Sequence, residues 1–208
     1  MKSIILVLIL FLPGFFPNAE EIARETEQKL RSLTSFKAEF KQVYHSTSVS
    51  TPLTEYGNVF YKKPGLMKWS YTKPEKKVIL LMENEIQYYF IEDSQLLIQD
   101  VTDEEQEHNI MSLFSGQTDL FGDYDVEIDE ENTVDKQSHH LKLIPKNDEI
   151  QNFILLDIDK KTLFINKATF FDWAGNKQEF EFSRIQTNIH LAEDTFILDT
   201  PSDVDIIK

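Results

Sequence analysis

Histidines and closely spaced acids are the residues of this chain that could bind a metal ion or move a proton. The histidines are His45, His108, His139, His140 and His190. Their spacing matches no zinc motif, and His139 and His140 are strand neighbours whose side chains point to opposite faces. Asp125, Glu127 and Asp129 alternate like the start of a calcium loop, but the glycine at the sixth position and the glutamate at the twelfth are missing. We therefore expect no metal and no cofactor.

Other catalytic signatures are also missing from the sequence. It contains no nucleophile elbow, phosphate-binding loop or dinucleotide fingerprint. It contains no cysteine, which excludes disulfides, thiolate metal ligands and a cysteine nucleophile. Acidic side chains number 36, so some pair could stand at the separation that a glycosidase needs, but the sequence singles out none. We therefore expect that the protein is not an enzyme.

The charge of the chain restricts its partners. The formal net charge is -15 and the isoelectric point is near 4.7. Nucleic acids and anionic membrane surfaces both select basic segments. We expect neither as a partner and attribute the acidity to solubility.

The N-terminus has the pattern of a secretory signal peptide. Lys2 precedes an unbroken apolar run over 4–12, and Ala19 precedes the first acids. The run is too short to span a bilayer, so we expect residues 1–19 to be a signal cut near Ala19 and residues 20–208 to form one domain outside the cytoplasm. Pro17, three residues before that cut, leaves its exact position open. The alternative is an uncleaved membrane anchor.

The mature chain is organised around the segment 57–71. It consists of two apolar-rich strands around a Lys-Lys-Pro-Gly turn. In the second strand Met67, Trp69 and Tyr71 alternate with other residues, which puts three large side chains on one face. That face either fills an ordinary core or lines a cavity for an apolar ligand, and periodicity alone does not separate the two interpretations.

Most of the chain alternates with a period of two, which is typical of half-buried strands. We count about ten or eleven antiparallel strands in a single sheet, and a sheet of that size must curl. Helical spacing predicts one amphipathic helix over 20–33 and a second, shorter one from Thr102 to Gly116. We therefore expect a mainly β fold, an incomplete or half barrel whose apolar concave face is covered by short lid helices.

Three parts of the chain match the sequence pattern of one known family. The strand 35–42, SFKAEFKQ, is similar to a Ser-Phe-x-Ala-x-Phe-x-Gln strand. The segment 57–71, followed by Pro74, is similar to a glycine-to-tryptophan segment with an Arg-Pro turn. A C-terminal pattern is matched by 172–182 and by Asn188, Phe196, Pro201, Val204 and Asp205. By the order and spacing of these matches, essentially the whole mature chain resembles the LolA family of periplasmic outer-membrane lipoprotein carriers.

The resemblance implies an apolar cavity for acyl chains under a helical lid. By position, the cavity would be lined by Phe36, Phe40, Met67, Trp69 and Tyr71. The inner side of the lid would be formed by Leu30, Leu33, Ile110, Leu113 and Phe114. Lys63 stands where the family has an arginine that holds the lid shut, and because lysine lacks the planar guanidinium fork its latch would be looser. The alternative is that Lys63 is only an exposed turn lysine.

The resemblance also implies partners. A monomer in the periplasm would take acylated lipoproteins from an ATP-driven exporter, an ABC transporter of the inner membrane, and deliver them to an acceptor at the outer membrane. Two alternatives use the same fold. One is a carrier of another lipid, such as a glycolipid, and the other is a periplasmic regulator that senses lipoproteins.

Overall fold

The computed structural model describes residues 18–82, 85–100, 110–115, 119–131, 135–146 and 152–208. Several sequence predictions lie outside these ranges. They are the apolar run of the signal peptide, the turn at 83–84, and the ends of the second helix at Thr102 and Gly116.

Twelve strands of the described chain form one sheet. They are β1 (Ser35–His45), β2 (Leu53–Lys62), β3 (Leu66–Lys73), β4 (Lys77–Met82), β5 (Glu85–Phe90), β6 (Gln95–Asp100), β7 (Tyr124–Ile128), β8 (Ser138–Pro145), β9 (Phe153–Asp159), β10 (Ile165–Phe171), β11 (Lys177–Thr187) and β12 (Asp205–Ile207). Their order across the sheet is β12-β6-β5-β4-β3-β2-β1-β11-β10-β9-β8-β7. The sheet is curled and unclosed, which confirms the predicted fold class.

The first strand of the chain lies in the middle of the sheet. Phe40 of β1 pairs with Gly57 of β2 on one side and with Phe182 of β11 on the other. The strands β2 to β6 continue outward from one side of β1, and β11 back to β7 continue from the other. The aromatic residues of β1 therefore lie at the centre of the concave face.

The first helix, α1 (Ala19–Ser32), confirms the predicted amphipathic helix. The side chain of Asn18 caps it by accepting a hydrogen bond of 2.8 Å from the backbone N–H of Glu21. A cut after Ala19 would therefore remove this cap. The apolar stripe of α1 contacts β7 and β8, and its buried members are Ile22, Ala23, Thr26 and Leu30.

A second helix, α2 (Ile110–Ser115), follows β6 in the chain. The predicted apolar edge of this helix, formed by Ile110, Leu113 and Phe114, falls within it. Over the part of the chain that the structure covers, neither helix combines the length and the apolarity that crossing a bilayer requires.

The convex face of the sheet carries a smaller core under the C-terminal segment. Leu191 and Phe196, the latter at the end of a 3-10 turn over Glu193–Phe196, pack against Leu80 of β4. Lys68 Nζ holds the same segment by donating a hydrogen bond of 3.0 Å to the carbonyl of Ile197. The chain then reaches the edge of the sheet beyond β6.

The sequence pattern predicts about ten or eleven antiparallel strands, whereas the described sheet has twelve. The last strand is β12 (Asp205–Ile207), which pairs with β6 in parallel. Three residues show too little alternation to indicate a strand, and the partner strand is more than 100 residues away in the sequence.

Candidate functional site

All five predicted cavity residues lie on the concave face. The register pairs Phe36 with Tyr61 across β1 and β2, and Trp69 with Val59 across β2 and β3. Side chains two residues apart in a strand share a face, so the aromatic residues of neighbouring strands meet there. Their exposed fractions are 0% for Phe36, 3% for Phe40, 0% for Met67, 1% for Trp69 and 7% for Tyr71.

Edge-to-face aromatic contacts hold this cluster together. The ring of Phe40 lies 4.8 Å from that of Trp69 and 5.0 Å from that of Tyr71, centroid to centroid. Trp69 also contacts Phe180 and Phe182 of β11 at 5.6 and 6.1 Å. Tilted and edge-to-face arrangements are the favourable ones for aromatic pairs. The cluster therefore joins both halves of the sheet through β1.

Gly57 makes room for the centre of the cluster. A Cβ atom at this position would stand 2.3 Å from the carbonyl oxygen of Ser70 and 2.7 Å from the ring of Phe40. The Phe40 ring therefore lies over the bare backbone of β2. This close approach explains why a glycine occurs in the middle of a strand, where it is otherwise unfavourable.

The helix α2 covers the cluster from the open side. Phe114 lies 5.5 Å from Phe36, 5.5 Å from Phe164 and 4.7 Å from Phe182, and it is 0% exposed. The other predicted lid residues are buried too, with exposed fractions of 3% for Leu30, 0% for Leu33, 7% for Ile110 and 3% for Leu113. Lid and cavity residues thus belong to one packed core, and the concave face is closed.

Lys63 lies beside the C-terminal end of α1, the other helix on the concave side. Its Nζ donates a hydrogen bond of 3.1 Å to the carbonyl of Arg31 in the last turn of α1. Its backbone N–H donates to the carbonyl of Thr34 at 2.9 Å. The ammonium group therefore touches α1, at a point where helix carbonyls lack partners of their own.

A polar cluster on the same face was missed by sequence reasoning. It consists of Gln42, Glu55, Tyr71 and Lys77, one from each of β1 to β4. Lys77 Nζ lies 2.7 Å from Glu55 Oε1, and the Tyr71 hydroxyl donates a hydrogen bond of 2.7 Å to Gln42 Oε1. Gln42, Glu55 and Tyr71 are each 7% exposed. The available signal was Gln42 itself, a polar residue at an inward position of the alternating pattern of β1.

Charge interactions connect Tyr71 with Glu55 and Lys77 in this polar cluster. Burial, together with the neighbouring Glu55 carboxylate and Tyr88, raises the pKa of Tyr71 far above its usual value. The phenol therefore keeps its proton and acts as a donor. Lys77 Nζ lies 4.3 Å from the centre of the Tyr71 ring, where a cation is attracted to the ring face.

Two polar atoms that belong to fully buried residues have no hydrogen-bond partner within the described ranges. They are Nε1 of Trp69 in the sheet and Oγ1 of Thr26 in α1. Leaving a buried donor unsatisfied costs about 1–3 kcal/mol. The closed arrangement thus carries a local cost on its concave side.

A cleft of about 230 Å³ opens where β1, β9 and β10 approach their ends. Its walls include Tyr44, Ile154, Phe170 and the half-buried Asn152. The predicted cavity residues do not line it, but its wall residue Phe170 contacts Phe180 of the aromatic cluster edge to face at 6.2 Å.

The arrangement of the concave face can be compared with known proteins. A family model described as "Outer membrane lipoprotein carrier protein LolA" matches residues 31–199. A protein of Francisella tularensis subsp. novicida, named outer-membrane lipoprotein carrier protein, is 24% identical over 211 residues, which cover 100% of this chain and 97% of that protein.

Solved structures with low sequence identity share the fold. An uncharacterized conserved protein from Thermus thermophilus matches with a TM-score of 0.56 at 15% identity, covering 91% of this chain and 98% of that chain. A chain of the Pseudomonas aeruginosa MucA/MucB complex matches with a TM-score of 0.50 at 16% identity, covering 86% of this chain and 60% of that chain.

Proposed function

Since this chain belongs to the LolA family of outer membrane lipoprotein carriers, we propose that it binds the acyl chains of lipoproteins on its concave face and carries them through the periplasm. The observation that carries the proposal is the contact of Phe114 with Phe36 and Phe182, which fills the face with side chains of a short helix. Such a helix can be exchanged for a ligand of similar apolarity. We assign no catalytic residue.

The energetics of acyl burial call for such an exchange. Burying a methylene stabilises by ~0.8 kcal/mol, so three acyl chains with ~40 methylenes represent ~30 kcal/mol of gross burial. Noncovalent affinities stop near ~20 kcal/mol. A carrier that bound these chains without an opposing cost could not release them. The opposing cost is the free energy needed to displace the apolar residues of α2 from the aromatic cluster.

Binding then proceeds as an exchange of contacts. Acyl chains replace Ile110, Leu113 and Phe114 against the sheet, and the cavity is lined by Phe36, Phe40, Met67, Trp69 and Tyr71. Release reverses the exchange, because α2 returns to the face as the chains leave. Lys63 holds α1 at its C-terminal end during this cycle through the carbonyl of Arg31.

The exchange fits a route between two membranes. An ATP-driven exporter of the inner membrane hands the acylated protein to the open form, and an acceptor at the outer membrane takes it over as the lid closes. The protein acts as a monomer in the periplasm, which it reaches by means of the signal peptide that ends near Ala19. The acidic charge of -15 suits movement between anionic membrane surfaces without adsorption to either.

Release of lipoproteins from spheroplasts tests the proposal. The mature protein is added to spheroplasts of a Gram-negative cell, and outer-membrane-type lipoproteins are expected in the supernatant in complex with it. Trp69→Glu puts a charge into the aromatic cluster and should abolish the complex. Trp173→Glu is the matched control, because Trp173 is 74% exposed and should tolerate the change. Circular dichroism is used to check that both variants are folded before their binding is compared.

Other outcomes identify the alternatives. Normal release by a folded Trp69→Glu variant would overturn the cavity assignment. Lipid without protein in the complex would indicate a carrier of another lipid. A stable complex with a membrane-anchored protein would indicate a regulator.

A further inference from the structure

We infer that Gln42, Glu55, Tyr71 and Lys77 form a subsite for the ester and amide carbonyls that join acyl chains to the first residue of a lipoprotein. The inference rests on the proposed function and adds to it a place for the polar end of the cargo. It assigns Phe36, Phe40 and Met67 of the concave face to the chains and gives Tyr71 a second role beside the linkage.

Along the concave face the four polar residues come after the aromatic residues, just as the ester and amide groups of an acylated N-terminus come after its acyl chains. Gln42 and Tyr71 each lie two residues along their strands from Phe40 and Trp69, so they continue the same face. Beyond them the register places Glu55 beside Gln42 and Lys77 beside Tyr71. The face is thus apolar first and polar next, as an acylated N-terminus is along its own length.

Structural stability alone gives little reason for the ion pair between Lys77 and Glu55. The Glu55 side chain is 9% exposed and that of Lys77 26% exposed, so both charges are partly removed from water. Burying an ion pair costs about as much as its attraction returns, and apolar residues of equal size often replace such pairs without loss of stability. A fixed pair beside an apolar face instead provides preoriented charge for a polar ligand group.

The donors present match the acceptors of the linkage. Ester and amide carbonyls accept hydrogen bonds, and an ammonium group carries three donors, of which Lys77 directs one at Glu55 Oε1. The remaining exposure of the Lys77 side chain leaves it reachable from solvent.

A second observation comes from Trp69, whose buried Nε1 has no acceptor among the described residues. A carbonyl that entered beside Tyr71 would supply one. Ligand binding would then satisfy a donor that the closed protein leaves unpaired, which favours the ester-bearing cargo over a plain hydrocarbon.

A pair of matched ligands tests the subsite. One is a diacylglyceryl-cysteinyl lipopeptide with ester-linked chains, and the other is the same molecule with ether-linked chains of equal length, which lacks the ester carbonyls and keeps the amide carbonyls of the peptide. Dissociation constants are measured for the mature protein with each. Because hydrogen bonds to charged groups are the stronger ones, we expect the ester form to bind roughly tenfold or more tightly.

Variants test which residues cause the preference for the ester-linked ligand. The double variant Glu55→Gln with Lys77→Met removes both charges and should bring the two ligands to equal affinity. The control is Glu39→Gln with Arg184→Met, which removes an exposed pair of 2.6 Å on the convex face and should keep the preference. Tyr71→Phe removes the hydroxyl that fixes the orientation of the Gln42 amide by donating to its Oε1, and it should reduce the preference by about threefold. It decides the question if the double variant does not fold.

Each result has one meaning. Equal binding of both ligands by the wild type, or an unchanged ester preference in the double variant or, where that is unfolded, in Tyr71→Phe, would overturn the subsite and leave the carrier function standing. Failure of the wild type to bind either ligand would contradict the proposed function, and the subsite with it.

Discussion

Lys63 Nζ donates a hydrogen bond of 3.1 Å to the carbonyl of Arg31, which lies in the last turn of α1. The carbonyls of a last helical turn have no partner within the helix, and a positive charge beside them is favourable. The contact therefore joins the turn between β2 and β3 to the end of the helix.

Replacing Lys63 with methionine should loosen this end of α1. The bond is exposed, so the free energy of unfolding should fall by less than about 1 kcal/mol. Amide hydrogen exchange in the segment 28–34 should rise several-fold, and Lys63→Arg should return it to the wild-type rate or below. Lys62→Met is the control. Unchanged exchange in Lys63→Met would show that the contact does not hold the helix.

Phe114→Ala and Phe36→Ala should distinguish the role of the lid from the role of the cavity wall. Both rings are buried, so each change should lower the free energy of unfolding by about 3–5 kcal/mol in urea titrations. Their effects on binding of a fluorescent lipid should differ. Phe114→Ala weakens the contact of α2 with the concave face, so this variant should bind the lipid as tightly as the wild type or more tightly. Phe36→Ala removes part of the cavity wall and should bind the lipid less tightly. Equal weakening in both variants would contradict the exchange of α2 for acyl chains.

Gly57→Ala should destabilise the aromatic cluster. The added Cβ would stand 2.3 Å from a backbone oxygen, which cannot move aside as a flexible side chain does. We expect a loss of about 1–3 kcal/mol in the free energy of unfolding, measured by chemical denaturation. Gly65→Ala is the matched control, because nothing lies within 4 Å of its added Cβ. Similar losses in the two variants would refute the steric explanation.

The stability of the protein should depend on pH through His140. Its Nδ1 lies 2.7 Å from Asp157 Oδ1 and its Nε2 lies 2.9 Å from the carbonyl of Asp135, and a protonated ring can donate a hydrogen bond to both. Burial lowers the pKa of His140, but these hydrogen bonds and the charges of both aspartates outweigh burial and raise the pKa above its usual 6.5.

A raised folded-state pKa means that the protonated ring stabilises the fold below about pH 6.5 and that this contribution is lost as the pH rises through the folded value. His140→Gln should therefore be less stable than the wild type at pH 5, and the difference should shrink above neutrality. Thermal melting across this pH range measures it, with exposed His190→Gln as the control. A difference that grows with pH would show that the ring is neutral in the fold.

The alternating pattern was sufficient to predict most of the sheet. Phe36, Ala38 and Phe40 indicated the buried side of β1, and Met67, Trp69 and Tyr71 that of β3, because a strand on a core has only two faces to choose from. The helical spacing of α1 was equally informative, since its stripe is set by the face that it buries.

The polar cluster and the contact of Lys63 could not be predicted in the same way. Glu55 and Lys77 lie 22 residues apart, and each alone is an ordinary charged residue of a strand. Only the register of three strand pairs brings them together with Gln42 and Tyr71. The partner of Lys63 is a backbone carbonyl, which leaves no mark on the residue type at position 31.

The short strand β12 affects how this molecule meets copies of itself. An open sheet has two edges whose unpaired backbone groups can recruit a strand from another molecule. β12 pairs with three residues of β6 and offers only three residues in turn, beginning with Asp205, while the opposite edge, β7, carries the exposed Asp125 and Glu127 and has α1 beside it. The short length of β12, on which Ile206 and Ile207 are exposed, and the acidic side chains of β7 both oppose the stacking of copies into fibres.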